Sequence, residues 1–429
     1  MTCSKLGPKV ATDLAALIDV IVSTQYNTHI AQTYPILWPH RRRIRSTNHQ
    51  IMATRVFLLL TTLLLGPSSV QSFAGLTPPT ESLGRRRFLN TAAIGGGAIT
   101  AGVLGKKGID GPAPYEPGPG SLTGQVMVIT GGTAGLGLES GKRLAAGGAT
   151  IVLTSRSIAK GNKAVEAVQE YLSSRGIVND KVFCVPLDLD DLENVKTFRS
   201  RLEASPALAS SNKINVLMAN AGVMAIPDRQ ITKDGYERTF QSNHLGHFAL
   251  TAGLFPLLAN DARVINVSSD AYMIASKGLQ LENLNGETEY GPWSSYGQSK
   301  LSNILFTKEL QERANKRGLA LTAVALHPGA VRTDLARNLI GEDKFAAMQK
   351  DGPAGSDFVL LNALSYFTRS VENGASTQVF LAAGNGDLVK GEYYVDMQAK
   401  KVGDAALDMD KAKALWDISE KLTGVKFEL

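Results

Sequence analysis

Cysteine is nearly absent from this chain of 429 residues, which contains only Cys3 and Cys184. Two cysteines cannot supply a four-cysteine zinc site, and they are too few for a small fold held together by several disulfides. Charged residues make up 20% and hydrophobic residues 44%, which excludes disordered, collagen-like and coiled-coil classes. The composition is that of an α/β protein with enough apolar side chains for a full core.

The positive charge of the chain is confined to its N-terminal quarter. The net charge is +6, but residues 1–110 hold 12 of the 45 basic and only 4 of the 39 acidic side chains. The remainder therefore carries 33 basic and 35 acidic side chains, which is close to neutral. This balance does not indicate a nucleic-acid-binding surface.

Residues 1–110 have the features of a targeting leader, and Met52 is a candidate start. Residues 52–72 have the order of a secretory signal peptide, and their leucine-rich run is too short to span a bilayer. Residues 73–104 are poor in acids and resemble the second part of the plastid leaders of algae with complex plastids. Three arginines at 85–87 resemble either a twin-arginine thylakoid signal or a transit peptide beside a membrane-associating segment. Both interpretations predict a plastid (chloroplast) protein, and the first predicts the thylakoid.

The rest of the chain predicts a linker and one domain. Residues 111–121 are rich in glycine and proline, which predicts a linker, and residues 122–429 predict a single folded domain. Seven apolar runs alternate with helical patterns in this domain. The predicted strands are residues 126–130, 150–154, 182–186, 214–218, 264–267, 321–325 and 393–395. Such alternation predicts a Rossmann-type, doubly wound parallel α/β sheet of about seven strands.

The first predicted strand leads directly into a glycine-rich turn and then a helix. Thr130 and Gly131 are followed by Gly135 and Gly137. In this context, glycine lets backbone amides approach a pyrophosphate at the positive end of a helix. The spacing Thr-Gly-x-x-x-Gly-x-Gly resembles that of the short-chain dehydrogenase/reductase family, and it predicts a dinucleotide-binding site.

The end of the second predicted strand bears on which dinucleotide binds. An NAD-dependent protein offers a carboxylate to the ribose at this place, but this sequence has Ser155 and Arg156. A guanidinium can hold a 2′-phosphate through charge-assisted hydrogen bonds, so we expect NADP(H), with Ser155 as a second donor. The alternative is that Arg156 only begins the next helix.

Tyr296 and Lys300 are four residues apart and therefore lie on one face of a helix. A nearby cation favours phenolate, so we expect the pKa of the phenol to fall below its usual 10 and to suit proton transfer near neutrality. Ser269 follows the predicted strand 264–267 and comes 27 residues before the tyrosine. In the family that the chain resembles, the serine polarises a carbonyl, the tyrosine is the acid/base, the lysine also holds the nicotinamide ribose, and an asparagine supports the lysine through water. The resemblance assigns the asparagine role to Asn243 and the other roles to Ser269, Tyr296 and Lys300.

The resemblance covers roughly residues 121–424 and extends the cofactor site. It implies that Asp188 contacts adenine, although a helix N-cap is an alternative role for this residue. It also implies that residues 220–222 flank the cofactor and that residues 328–333 reach the nicotinamide. The predicted cofactor-binding residues are Thr130, Gly131, Thr133, Gly135, Leu136, Gly137, Ser155, Arg156, Asp188, Leu189, Asn220, Ala221, Gly222, Tyr296, Lys300, Pro328, Gly329, Val331 and Thr333. No metal site is predicted, because His244 and His247 lack a third ligand and hydride transfer needs no metal.

The combined prediction is an NADP-dependent oxidoreductase that transfers hydride to a carbonyl, or from an alcohol, of a small apolar substrate. Segments 217–224, 296–303 and 391–394 resemble the retinol-dehydrogenase-like and protochlorophyllide-reductase-like branch. Residues 335–367 predict a substrate lid, and core packing explains their apolar side chains almost as well. Two alternatives stay open, namely a light-dependent protochlorophyllide reductase-like plastid enzyme and a non-catalytic NADP(H) sensor. The leader adds the expectation of association with a thylakoid or other plastid membrane, while substrate identity, direction and oligomeric state are not predicted.

Overall fold

The structure, a computed structural model, describes residues 111, 113–209, 211–331, 368–384 and 386–429. The predicted leader (residues 1–110), the predicted lid (residues 335–367) and Thr333 lie outside the described residues.

One sheet of eight strands forms the centre of the described domain. The strands are β1 (Val126–Ile129), β2 (Thr150–Ser155), β3 (Val182–Pro186), β4 (Ile214–Ala219), β5 (Leu258–Val267), β6 (Thr322–His327), β7 (Tyr393–Val395) and β8 (Gln398–Lys400). Their order is β3-β2-β1-β4-β5-β6-β7-β8, and every pairing is parallel except that of β7 with β8. The strand order reverses direction between β1 and β4, which makes the sheet doubly wound and puts the ligand crevice at their carboxyl ends.

The predicted Rossmann-type fold and all seven predicted strands are confirmed, with two differences. Strand β5 begins at Leu258, six residues before the predicted start, because residues 258–263 include polar side chains that mask the strand pattern. Strand β8 was not predicted. It has three residues, none of them fully buried, and it pairs with β7 as a hairpin rather than through an apolar run.

Nine α-helices of the described residues cover the two faces of the sheet. They are α1 (Gly135–Ala146), α2 (Ile158–Ser173), α3 (Leu192–Lys196), α4 (Phe198–Glu203), α5 (Arg238–Phe240), α6 (Gly246–Leu254), α7 (Pro292–Lys316), α8 (Val371–Ala383) and α9 (Met409–Thr423). A π-helical turn, Gln241–Leu245, joins α5 to α6 without a break.

The residues of strand β1 form a continuous apolar run because both faces of the strand are buried. Val126 and Val128 belong to the core that contains residues of α4, α6, α7 and α9. Met127 and Ile129 point to the opposite face and belong to the core that contains residues of α1, α2 and α8. A strand buried on both faces needs apolar side chains at every position, as parallel sheets do. The two layers hold the carboxyl ends of the strands, where the site lies, in a fixed frame.

Candidate active site

The glycine-rich turn between β1 and α1 brings backbone close to backbone. Gly131 and Gly135 have φ angles of +65° and +52°, which favour glycine. A Cβ at Gly137 would lie only 2.5 Å from the Gly131 carbonyl oxygen, so only glycine fits there. Ala134 precedes α1 and offers no side-chain hydrogen bond to it. The amides of the first turn of α1 therefore lack a side-chain cap and form a site suited to a phosphate.

Thr130 anchors this turn to the neighbouring strand. Its hydroxyl accepts hydrogen bonds from the backbone amides of Asn220 and Ala221, both at 2.9 Å, and lies 2.8 Å from His247 Nε2. His247 Nδ1 lies 3.1 Å from the Asn243 carbonyl oxygen, which can only accept. Nδ1 therefore carries the ring proton, and the Thr130 hydroxyl donates to Nε2. Burial lowers the pKa of His247 to about 4, which keeps the ring neutral.

The amide side chain of Asn220 completes this anchor. Its Nδ2 donates to the Thr130 carbonyl oxygen at 2.8 Å, and its Oδ1 accepts from Gln378 Nε2 on α8 at 3.3 Å. Asn220 and Ala221, two predicted cofactor residues, thus hold the turn by backbone and side chain together.

The carboxyl end of β2 lies beside the end of β3, since Ser155 pairs with Pro186. The Ser155 hydroxyl donates to the Ser157 carbonyl oxygen at 2.8 Å. Asp188 accepts the Asp190 amide at 3.0 Å and is followed by the buried Leu189. The Arg156 side chain is about half exposed, and its Nη1 lies 3.4 Å from Asp190 Oδ2.

Asp190 is a charged residue beside these strand ends that the sequence does not predict. Its Oδ2 also accepts from Arg238 Nε at 2.9 Å, and its Oδ1 accepts from the Ser242 hydroxyl. Arg238 begins α5, more than eighty residues after Arg156 in the sequence. No local spacing connects these residues, so the sequence offered no signal for the cluster.

The π-helical turn aims Asn243 at α7. Asn243 Oδ1 accepts the Val223 amide at 2.8 Å, and its Nδ2 donates to the Val223 carbonyl at 3.0 Å and to Ser299 Oγ at 2.9 Å. Ser299 donates in turn to the Tyr296 carbonyl oxygen at 2.8 Å. A Cβ at Gly222 would meet Asn243 Oδ1 at 2.9 Å, so this close approach needs glycine. π-turns of this kind occur frequently at functional sites.

Ser269, Tyr296 and Lys300 converge where β5 ends against α7. The Ser269 side chain lies close enough to Tyr296 to lower the pKa of the phenol. Lys300 Nζ donates to the Val267 carbonyl oxygen at 2.9 Å and lies 5.5 Å from the centre of the Tyr296 ring. Tyr296 and Lys300 are both buried. The chain thus places a hydroxyl, a phenol and an ammonium group close together.

The protonation of the phenol differs from the expectation. Burial raises the pKa of Tyr296 to about 12, and the nearby Ser269 side chain offsets this rise only in part. The ammonium group of Lys300 binds a backbone carbonyl instead of the phenol oxygen, and burial lowers the pKa of Lys300 to about 8. The phenol is therefore protonated near neutral pH and suited to donate a proton.

The loop after β6 forms the opposite wall. Gly329 has a φ of +88°, and a Cβ there would meet Arg369 Cδ at 2.5 Å. Val331 pairs through its backbone with Arg369 and packs near Gly374 of α8. A Cβ at Gly374 would also meet Leu136 at 3.0 Å, so this loop, α8 and the start of α1 meet at one place.

A second carboxylate, Asp270, directly follows the predicted catalytic serine and was also missed. Tyr393 Oη donates to Asp270 Oδ1 at 2.9 Å, and the Asp270 amide donates to His327 Nδ1 at 3.3 Å. These bonds tie the segment after Ser269 to β6 and β7. No local spacing predicts this contact, because Tyr393 and His327 are far from Asp270 in the chain.

The two histidines of the central helix point to different partners. His244 Nε2 lies 2.9 Å from Ser419 Oγ of α9, whereas His247 contacts Thr130. Within the part of the chain that the structure describes, no group of three or more His, Cys, Asp or Glu side chains could hold a metal ion. No helix of these same residues is long and apolar enough to cross a membrane.

Comparison with known proteins agrees with this geometry. Residues 125–344 match the short chain dehydrogenase family. Mouse (Mus musculus) retinol dehydrogenase 12 is 34% identical over 310 residues, which are 72% of this chain and 89% of the relative. The chloroplastic short-chain dehydrogenase TIC 32 A of Brassica napus is 31% identical over 337 residues, 76% of this chain and 97% of the relative. A solved structure of an uncharacterised protein from Mycobacterium Paratuberculosis has a TM-score of 0.55 at 32% identity, covering 74% of this chain and 100% of that chain.

The fold and the comparisons together define an oxidoreductase built on a Rossmann-type sheet. The chain belongs to the short-chain dehydrogenase/reductase family, in its retinol dehydrogenase-like branch.

Proposed function

We propose that the protein is an NADP(H)-dependent oxidoreductase that reduces the carbonyl of a small apolar substrate, or oxidises the corresponding alcohol, with Tyr296 as the acid/base. The observation that carries this proposal is the convergence of buried Tyr296 and Lys300 with half-buried Ser269 at the carboxyl edge of the sheet. A protein that only binds a nucleotide has no need of a buried phenol with a hydroxyl and an ammonium group beside it.

The residues at the glycine-rich turn fit a dinucleotide. The backbone contact at Gly137 and the uncapped start of α1 suit a pyrophosphate, while the exposed guanidinium of Arg156 suits a 2′-phosphate. Residues 220–222 lie between this turn and Asn243, which supports their role beside the cofactor. NADPH held by these residues would supply the hydride for the carbonyl carbon of the substrate and would be oxidised to NADP⁺.

The side chains would stabilise and protonate the negative charge that develops on the substrate oxygen. As the carbonyl carbon accepts the hydride, its C=O π electrons move to the oxygen, which takes the Tyr296 proton and becomes an alcohol. Ser269 donates a hydrogen bond to the same oxygen, and the charge of Lys300 stabilises the phenolate that remains. Asn243 positions this group through Ser299 and the backbone of Tyr296. In alcohol oxidation each transfer runs in the opposite direction.

Substrate class and location extend the same proposal. The names of the retinol dehydrogenase relatives support a hydrophobic carbonyl or alcohol as substrate. The chloroplastic relative, together with the leader-like residues 1–110, supports a plastid location. We propose that residues 1–110 are the targeting leader and residues 122–429 the catalytic domain.

Turnover by a Tyr296→Phe variant tests the proposal. The full-length protein is assayed with NADPH and a panel of apolar aldehydes and ketones that includes a retinoid aldehyde. We expect wild-type turnover on at least one carbonyl class, and a loss of about 10²-fold to 10⁴-fold in the variant. The Kd for NADPH, measured by nicotinamide fluorescence, stays within about twofold because the phenol carries the reacting proton rather than the binding energy.

Tyr290→Phe is the matched control. Tyr290 lies close to the start of α7, and its hydroxyl donates to the Ile226 carbonyl at 2.7 Å instead of facing Ser269. Its loss should leave turnover largely intact. NADPH binding without turnover on any carbonyl in wild-type protein would contradict the proposal and favour a sensor.

A further inference from the structure

The adenosine end of the site contains two cations that meet at one carboxylate oxygen. Arg156 Nη1 lies 3.4 Å and Arg238 Nε lies 2.9 Å from Asp190 Oδ2. The other oxygen of Asp190 accepts from Ser242, and Arg238 Nη1 donates to Gln230 Oε1 at 2.7 Å. Asp190 is thus fixed from two sides, while Arg156 touches it through one nitrogen only.

The three charges have a clear consequence for a phosphate. Arg156, Arg238 and Asp190 together carry one net positive charge. Without Arg238, the Asp190 carboxylate would have only Arg156 as its counterion among these three residues. The same Arg156 guanidinium is the group that would hold the 2′-phosphate. A phosphate monoester carries about −1.5 to −2 charges near pH 7 and is repelled by such a carboxylate.

Asp190 also has the chemistry that favours the other cofactor. In many related folds a carboxylate at the end of β2 accepts a hydrogen bond from a free ribose hydroxyl and so selects NAD. Asp190 follows β3, but its contact with Arg156 brings its carboxylate beside the end of β2. The choice between the cofactors then depends on whether the charge of Asp190 is cancelled. Arg238 lies in the position to cancel it, with 31% of its side chain exposed against 51% for Arg156.

We propose that Arg238 is a specificity-determining residue that acts through Asp190: it neutralises this carboxylate and so keeps the subsite of Arg156 selective for the 2′-phosphate of NADP(H). The inference rests on the proposed function in its choice of NADP(H). It assigns a role to a residue in α5, which leads into the π-helical turn that contains Asn243 but lies away from Ser269, Tyr296 and Lys300.

The test is a double-mutant cycle read by direct binding to the full-length protein. The Kd values of NADPH and NADH are measured by nicotinamide fluorescence, and those of 2′,5′-ADP and 5′-AMP by calorimetry. The two fragments lack nicotinamide and therefore report on the adenosine end alone. We expect Arg238→Gln to weaken NADPH and 2′,5′-ADP about tenfold and NADH and 5′-AMP less than twofold.

Removing the carboxylate should rescue the variant. The double variant Arg238→Gln with Asp190→Asn is expected to bind NADPH within about threefold of wild type, because no uncompensated anion remains. The single Asp190→Asn variant should bind NADPH at least as tightly as wild type. Asp190→Asn also serves as the second test if Arg238→Gln fails to fold. Weaker NADPH binding by Asp190→Asn than by wild type would then overturn the inference.

Arg199→Gln is the matched control, since it removes the same charge from an exposed pair with Glu203 on α4. It should leave all four Kd values unchanged. Three results would overturn the inference: Arg238→Gln weakens both cofactors equally, it weakens neither, or Asp190→Asn fails to rescue it. The proposed cofactor would still be upheld if the wild-type protein prefers NADPH. A wild-type preference for NADH would overturn both.

Discussion

Replacing Thr130 with valine removes one buried hydroxyl while keeping the shape of the side chain. The hydroxyl accepts from the amides of Asn220 and Ala221 and donates to His247 Nε2. The Asn220 amide keeps a second acceptor, the Met218 carbonyl at 3.0 Å. The Ala221 amide and His247 Nε2 would each lose a partner inside the protein.

The magnitude follows from these two groups. A buried polar group left without a partner costs about 1 to 3 kcal/mol, so Thr130→Val should lower the free energy of unfolding by about 3 kcal/mol. Thr130→Ser keeps the hydroxyl and loses one buried methyl group, which costs about 1 kcal/mol. The difference between the two variants isolates the hydroxyl.

Urea denaturation followed by circular dichroism measures both free energies, provided that the slope with denaturant is unchanged. NADPH affinity is measured on the same samples. We expect the folded valine variant to bind NADPH within a few fold of wild type, because the hydroxyl points into the protein. A valine variant as stable as wild type, or one that is stable but no longer binds NADPH, would refute this reasoning.

Two further predictions concern pH. Carbonyl reduction should slow as the pH rises through about 8, because buried Lys300 then loses the charge that stabilises the Tyr296 phenolate. A pH–rate profile of kcat checks this prediction. A flat profile from pH 7 to 9.5 would contradict it. Stability should fall as the pH drops from about 6.5 towards 4, because burial lowers the pKa values of His244 and His247 to about 3 and 4, so the unfolded chain binds protons that the folded chain does not. Urea midpoints measured across this pH range test the second prediction, and a midpoint independent of pH would show that these histidines do not control acid stability.

The sheet could be predicted because each of its central strands is buried on both faces and therefore reads as an unbroken apolar run. Val126–Ile129 is the clearest case. The hairpin strand Gln398–Lys400 escaped prediction because a short exposed strand has no such pattern. Its backbone pairing, not its side chains, puts it in the sheet.

Some residues of the candidate site could likewise be predicted from local sequence patterns, and others could not. Tyr296 and Lys300 could be found because they are one helical turn apart, where sequence spacing and distance in space coincide. Asp190, Arg238 and Asp270 could not, because their partners come from other strands and helices. The pKa of Tyr296 was expected to fall and rises instead, because burial is a property of the folded protein that a four-residue spacing does not contain.

The π-helical turn Gln241–Leu245 limits how this part of the chain can change in evolution. Ser242, Asn243 and His244 are consecutive, yet they bind three separate places, namely Asp190, α7 and α9. Insertion or deletion of a single residue would rotate everything after it by about 100° and break several of these attachments together. The stretch can therefore drift by substitution but hardly in length, so it should serve as a gap-free anchor when distant relatives are aligned.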